Sequence, residues 1–179
     1  MRKLSWISVL FLILSISAAA QDYPKAEVFG GYSYVHTSVL GTGFNFNGAS
    51  GSIAFNPKDW FGLVADFGGY HNGDFGVSTN VITYLFGPKF AYRKNAKVTP
   101  YFQTLFGGAH VGASFSGLSG SDSAFAMAIG GGIDAKVHPH VAIRVIQAEY
   151  LLTKFNDGSN NRQNNARISA GIVFRWGGK

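Results

Sequence analysis

The residues able to do chemistry are few in this chain, and most have a simpler use. His138 and His140 flank Pro139 with the spacing of a small metal clamp, but a tight turn at a polar surface explains them as well. Gly130-Gly131-Gly132 has the glycine content of a phosphate loop and lacks its strand–loop–helix setting and following Lys. Between strands such a run removes bulk. His36, His71 and His110, with Ser38, Ser78, Ser114 and Asp74 nearby in sequence, hold the residue types of a nucleophilic triad, yet no spacing selects one. No metal site, catalytic residue or cofactor is therefore expected. The charges within the strand-like segments form a nearly balanced set. Glu27, Asp66, Asp134 and Glu149 stand against Lys89, Lys136, Arg144, Arg167 and Arg175. A set of this kind suits buried ion pairing.

The composition narrows the class that positions these residues. Of 179 residues, 46% are hydrophobic and 15% aromatic, only 13% are charged, and Gly is commonest at 24. So few charges exclude a coiled coil or a charged disordered chain. The absence of Cys excludes a disulfide scaffold, thiol catalysis, a Cys-ligated zinc and a lipoprotein anchor. Met1-Arg2-Lys3, the apolar run from Leu4 to Ile16 and the small residues Ser17 to Ala20 read as a secretory signal cleaved between Ala20 and Gln21. Residues 1–20 are thus expected to leave and 21–179 to form one domain. Losing Arg2 and Lys3 lowers the net charge from +6 to +4, which does not argue for nucleic acid without a basic patch interleaved with aromatics.

From Lys25 onward the chain reads as eight strands of period two. Glu27, Phe29, Gly31 and Ser33 oppose Val28, Gly30, Tyr32 and Tyr34. Gly62, Val64, Asp66 and Gly68 oppose Phe61, Leu63, Ala65 and Phe67. Leu85, Gly87, Lys89 and Ala91 alternate with Tyr84, Phe86, Pro88, Phe90 and Tyr92. The sixth segment sets Asp134 and Lys136 against Phe125, Met127, Ile129 and Ile133. The eighth sets Arg167 and Arg175 against Ile172, Phe174 and Trp176. Turns at 56–59, 93–97 and 138–140 are short. Longer Gly-, Ser- and Asn-rich loops are expected at 36–46, 112–122 and 153–165. Two points resist strict alternation. Pro88 lies inside a strand, so a bulge or a missing ladder bond is expected there. In the seventh strand Arg144 differs in parity from Gln147 and Glu149, and a bulge between Arg144 and Gln147 would reconcile them.

The facing decides the class. Large aromatics from eight strands would overfill the interior of an eight-stranded barrel. The small and charged face must then point inward and the aromatic face outward, which only lipid tolerates. The expected fold is all-β: an eight-stranded antiparallel up-and-down transmembrane β-barrel. Its polar interior network is Glu27, Asp66, Lys89, Asp134, Lys136, Arg144, Glu149 and Arg167, with Asp66, Lys89 and Arg144 in one plug. Tyr84, Phe86, Phe90, Phe125, Ile129, Ile133, Ile172 and Phe174 face lipid. Tyr32, Tyr34, Trp60, Tyr92 and Trp176 lie near strand ends and fit interfacial girdles.

In this order, AEVFGGYSYV, GSIAFNPKDWFGLVADFGGY, FGPKFAYR, VTPYFQTLFGGAHVG, AIGGGIDAKV and RISAGIVFRW resemble the small outer-membrane β-barrel family of the OmpA/OmpX type, over about Lys25 to Trp176. The resemblance implies a cell outer-membrane location, a mostly non-enzymatic role and insertion by the barrel-assembly machinery through a last strand ending in an aromatic. Phe174 and Trp176 match that strand, and Gly177-Gly178-Lys179 extends past it. Contacts with outer-membrane lipid and lipopolysaccharide, no nucleic acid and a monomeric state are expected. The length leaves no room for the periplasmic peptidoglycan-binding domain of longer relatives. Some eight-stranded barrels modify lipid A with His beside Ser or an acid, and the outer-end histidines are the only residues here that could do so. The leading expectation is a structural or surface-interacting barrel whose interior is filled by side chains. The alternatives are a small-solute pore and a soluble, exported, lipocalin-like barrel with its aromatic face inside.

Overall fold

Alternation of large apolar with small or charged residues at period two leaves strands as the stable local form, because successive side chains leave opposite faces. The computed structural model describes residues 23–39, 42–73, 78–95, 97–115, 118–156 and 162–178. The proposed cleavage at 20–21 and Lys179 lie outside them. The described chain forms eight strands: β1 (Ala26–Val39), β2 (Thr42–Phe55), β3 (Phe61–Asn72), β4 (Ser78–Ala91), β5 (Val98–Phe115), β6 (Leu118–His138), β7 (Val141–Thr153) and β8 (Gln163–Trp176). They close in sequence order, and β8 pairs antiparallel with β1 from Ala26↔Trp176 to Thr37↔Asn165. Closure gives every strand a paired neighbour on both sides, as a membrane-spanning sheet requires. Among the described residues no helix is long and apolar enough to cross a membrane.

The closing seam depends on glycine. Gly31 and Gly171 are paired across β1 and β8. A Cβ on Gly31 would lie 2.2 Å from the Ala170 carbonyl oxygen, and one on Gly171 2.3 Å from that of Gly30. The two backbones approach this closely only because both side chains are missing.

Two of the three long loops expected from composition are largely strand. β1 runs to Val39 and β2 starts at Thr42; β5 runs to Phe115 and β6 starts at Leu118. Cross-strand bonds continue the ladder through these Gly- and Ser-rich stretches. His36 Nδ1 lies 2.7 Å from Asn45 Oδ1, and His110 Nδ1 2.8 Å from Ser123 Oγ. In the third, after β7, the described residues 154–156 and 162 lie outside the strands. β5 and β6, at 18 and 21 residues, outreach the roughly 9–11 that cross a bilayer.

The parity conflict in β7 is resolved by a register shift between Arg144 and Gln147. Val145 and Ile146 both point outward, so Arg144, Gln147 and Glu149 all point inward. At Pro88 there is no bulge. Pairing of β4 with β5 stops at Phe86↔Phe106 and resumes at Lys89↔Gln103 in the same register, which is the missing-bond outcome a proline without N–H imposes.

Candidate functional site

The inward face carries one continuous polar chain that starts at the short-turn end. Lys89 Nζ donates to Glu27 Oε2 at 2.7 Å, and Arg93 and Arg175 approach Glu27 Oε1 at 3.4 and 3.5 Å. Arg175 Nη2 lies 3.8 Å from Asp134 Oδ2, and Arg144 grips Asp134 with Nε at 2.9 Å and Nη2 at 3.2 Å. This two-pronged geometry is one a planar guanidinium favours. The Arg144 guanidinium also lies between two rings, 4.2 Å from the Phe29 centroid and 4.6 Å from that of Tyr101. Such stacking holds a weakly hydrated cation away from water.

Amides carry the chain deeper. Arg144 Nη1 and the Tyr101 hydroxyl both donate to Gln147 Oε1, at 2.6 and 2.7 Å. Gln147 and Gln103 then donate to the two oxygens of Glu149, at 2.7 and 2.9 Å. Arg167 completes it, donating to Glu149 Oε2 at 2.7 Å and Asp66 Oδ1 at 2.7 Å. Both Arg167 and Lys89 are fully buried. Glu27, Asp66, Lys89, Asp134, Arg144, Glu149 and Arg167 thus sit in one connected interior cluster. Lys136 lies half-buried on β6 two residues past Asp134. Gln103, Gln147, Tyr101 and Arg93 complete the circuit. An amide or phenol inside an alternating strand carries no distinctive sequence signal, and Arg93 lies in a turn.

Beside the polar chain an apolar cluster departs from the expected small and charged lining, running from Ala54 and Val64, in register with Glu27, toward the loop end. Val35, Val64, Tyr70, Leu85, Leu105 and Leu151 are buried in one apolar cluster. Ala54, Ala109, Ala126 and Ala128 in the same cluster leave the space that these larger side chains fill.

On the outward face stand Tyr84, Phe86, Phe90, Phe125, Ile129, Ile133, Ile172 and Phe174, all exposed. At the short-turn end Trp60 stacks on Phe90 at 6.1 Å, Trp176 lies 6.2 Å from Phe174, and Tyr92 is exposed. Towards the other end the Tyr32 and Tyr34 hydroxyls donate to Asn47 and Asn45 at 2.5 and 2.7 Å; Tyr32 is exposed and Tyr34 half-buried.

The histidines do not gather. His36, His71 and His110 are on β1, β3 and β5, bonded across to Asn45, Asn80 and Ser123 respectively. The His110–Ser123 pair has no carboxylate on the other ring nitrogen among the described residues. His138 and His140 bracket the β6–β7 turn with ring centroids 5.9 Å apart. Among the described residues no three His, Asp or Glu side chains are grouped to hold a metal.

A closed eight-stranded barrel with an apolar outer wall and its charges inside is the architecture of an integral outer-membrane protein. The model of the outer membrane protein beta-barrel domain matches residues 7–175, and the chain belongs to that family, whose place is the cell outer membrane. Solved structures agree. Ail, the attachment invasion locus protein of Yersinia pestis, is similar at 22% identity and a TM-score of 0.64, over 87% of this chain and 100% of that one. Neisserial surface protein A is similar at 12% identity and a TM-score of 0.69, with the same coverage. The N-terminal barrel domain of Pseudomonas aeruginosa OprF is similar at 15% and 0.57, again over 87% and 100%. At these identities the likeness is one of fold. No curated protein sequence matches the chain.

Proposed function

We propose that the protein is a non-conducting, non-enzymatic outer-membrane barrel that acts by holding its loop-end hairpins at the cell surface. The observation that supports this most directly is the polar chain from Lys89 and Glu27 through Asp134, Arg144 and Glu149 to Arg167 and Asp66. An eight-stranded barrel is just wide enough for side chains to fill, and a lumen crossed by paired, buried charges leaves no continuous water path. The reach of β5 and β6 past the other strands supplies the displayed surface.

On this reading Tyr84, Phe86, Phe90, Phe125, Ile129, Ile133, Ile172 and Phe174 meet hydrocarbon. Tyr32, Tyr34, Trp60, Tyr92 and Trp176 sit at the two interfaces, next to lipid headgroups and lipopolysaccharide. Residues 1–20 direct export, the Phe174–Trp176 end of β8 is read by the assembly machinery, and the barrel works as a monomer. Proteoliposome swelling in arabinose tests the closed lumen. Vesicles containing the folded protein are expected to swell no faster than protein-free vesicles. Faster swelling that scales with folded protein would establish a pore instead.

A further inference from the structure

Above the polar chain the apolar part of the interior is not filled. A cavity of about 250 Å³ opens toward the loop end, walled by Val35, Phe46, Val81, Val111, Leu151 and Phe155. The Gln163 and Asn165 amides on its rim are bonded within the protein. Gln163 Oε1 accepts from the Phe155 N–H at 3.0 Å and from the Thr153 hydroxyl at 3.3 Å, while the Asn165 amide donates to the Leu151 carbonyl at 2.9 Å.

The floor differs. Thr83 lines the cavity and is fully buried, and its hydroxyl has no partner. An unpaired hydroxyl in an apolar site is costly. Beside it the Tyr70 hydroxyl accepts from Arg167 Nη1 at 3.2 Å. Both hydroxyls stand over Gly68, where a Cβ would come within 2.3 Å of Tyr70 Oη and 2.7 Å of Thr83 Oγ1. The missing side chain leaves the space they occupy.

We propose that this cavity binds a small neutral amphiphile, apolar body against the valines and leucine, hydroxyl or carbonyl on Thr83. Neutrality follows from the floor. Arg167, which reaches the Tyr70 hydroxyl beside the floor, is already paired with both Asp66 and Glu149, so an added carboxylate would find no free partner there. Size follows from volume: a dry cavity of about 150 Å³ takes benzene, so this one takes about ten heavy atoms. A medium-chain alcohol meets each requirement. This site goes beyond the display role and does not depend on it, because the cavity ends blindly at the polar chain.

The test is methyl NMR of the full mature protein in lipid nanodiscs, titrated with 1-octanol and, separately, n-nonane. The expected result is saturable movement of the Val35, Val111 and Leu151 methyls, with the outward Ile129 and Ile172 methyls drifting only with membrane partitioning. Thr83→Val should weaken 1-octanol about five- to tenfold, the worth of one neutral hydrogen bond, and leave n-nonane unchanged. Val81→Phe, which narrows the cavity, should weaken both. Gel mobility without boiling confirms that each variant is folded. Cavity methyls that move only in step with Ile129 and Ile172 would overturn the site. Equal 1-octanol affinity in wild type and Thr83→Val would overturn the assigned ligand class.

Discussion

Arg167 bridges two buried carboxylates, Asp66 and Glu149, with a single guanidinium. Removing one partner of a buried pair typically costs about 3–5 kcal/mol, since the charge left behind has neither partner nor water. Arg167→Met should lower the unfolding free energy in lipid vesicles by about that amount, read from urea titration. Lys89→Met should cost clearly less, because Glu27 keeps Arg93 at 3.4 Å and Arg175 at 3.5 Å. Equal losses at the two sites would mean that the pairs are solvated independently. At this scale the sequence was informative where charge coincided with parity. Asp66 and Lys89 are the single charges of otherwise small or apolar strand faces, Arg167 shares its face with Arg175, and a narrow barrel has one place for them. Thr83 was not legible as a floor residue: a threonine in a strand is ordinary, and only the cavity above it gives its hydroxyl a meaning.

Strand-level constraints are sharpest where two backbones touch. Gly171→Val would place side-chain atoms where the Gly30 carbonyl oxygen stands, at 2.3 Å from the ideal Cβ, so the seam between β1 and β8 should fail to close. Gly30→Val is the matched control, as nothing lies within 4 Å of its Cβ position. The fraction running as a compact unboiled band should collapse in the first variant and stay near wild type in the second. The β7 bulge makes a second prediction. Deleting Val145 leaves Arg144, Gln147 and Glu149 on one parity, so all three stay inward without the bulge. Deleting both Val145 and Ile146 makes Arg144 and Gln147 neighbours and forces either Arg144 or the pair Gln147 and Glu149 toward lipid, where a basic residue near the bilayer centre costs about 2–4 kcal/mol. Folded yield should fall for the double deletion and hold for the single one; equal yields would show that the shared inward facing of these residues is not needed. The conflict that located this bulge was visible in the sequence because charge parity in lipid is unforgiving. The extension of β1, β2, β5 and β6 was not, because Gly, Ser and Asn favour loops until cross-strand pairs such as His36–Asn45 and His110–Ser123 override that preference.

For the whole molecule the deciding feature is which face of the sheet meets water. The outward wall of exposed Phe, Tyr and Ile predicts a depth-dependent response to charge. Ile172→Arg should cost about 2–4 kcal/mol if it lies near the bilayer centre and Tyr92→Arg about 0–1 at the interface, measured by the same urea titration. A flat response would mean that the wall does not contact hydrocarbon. The volume argument described the inward face as small and charged, and it did not foresee the apolar packing toward the loop end, where alanines on β5 and β6 make room for Leu85, Leu105 and Tyr70. The most direct measurement is gel mobility of the mature protein from fractionated cells, in SDS with and without boiling. A compact, fast band in the outer-membrane fraction that slows on boiling is the predicted result. A single unshifted band recovered from the soluble periplasmic fraction would contradict the inside-out assignment.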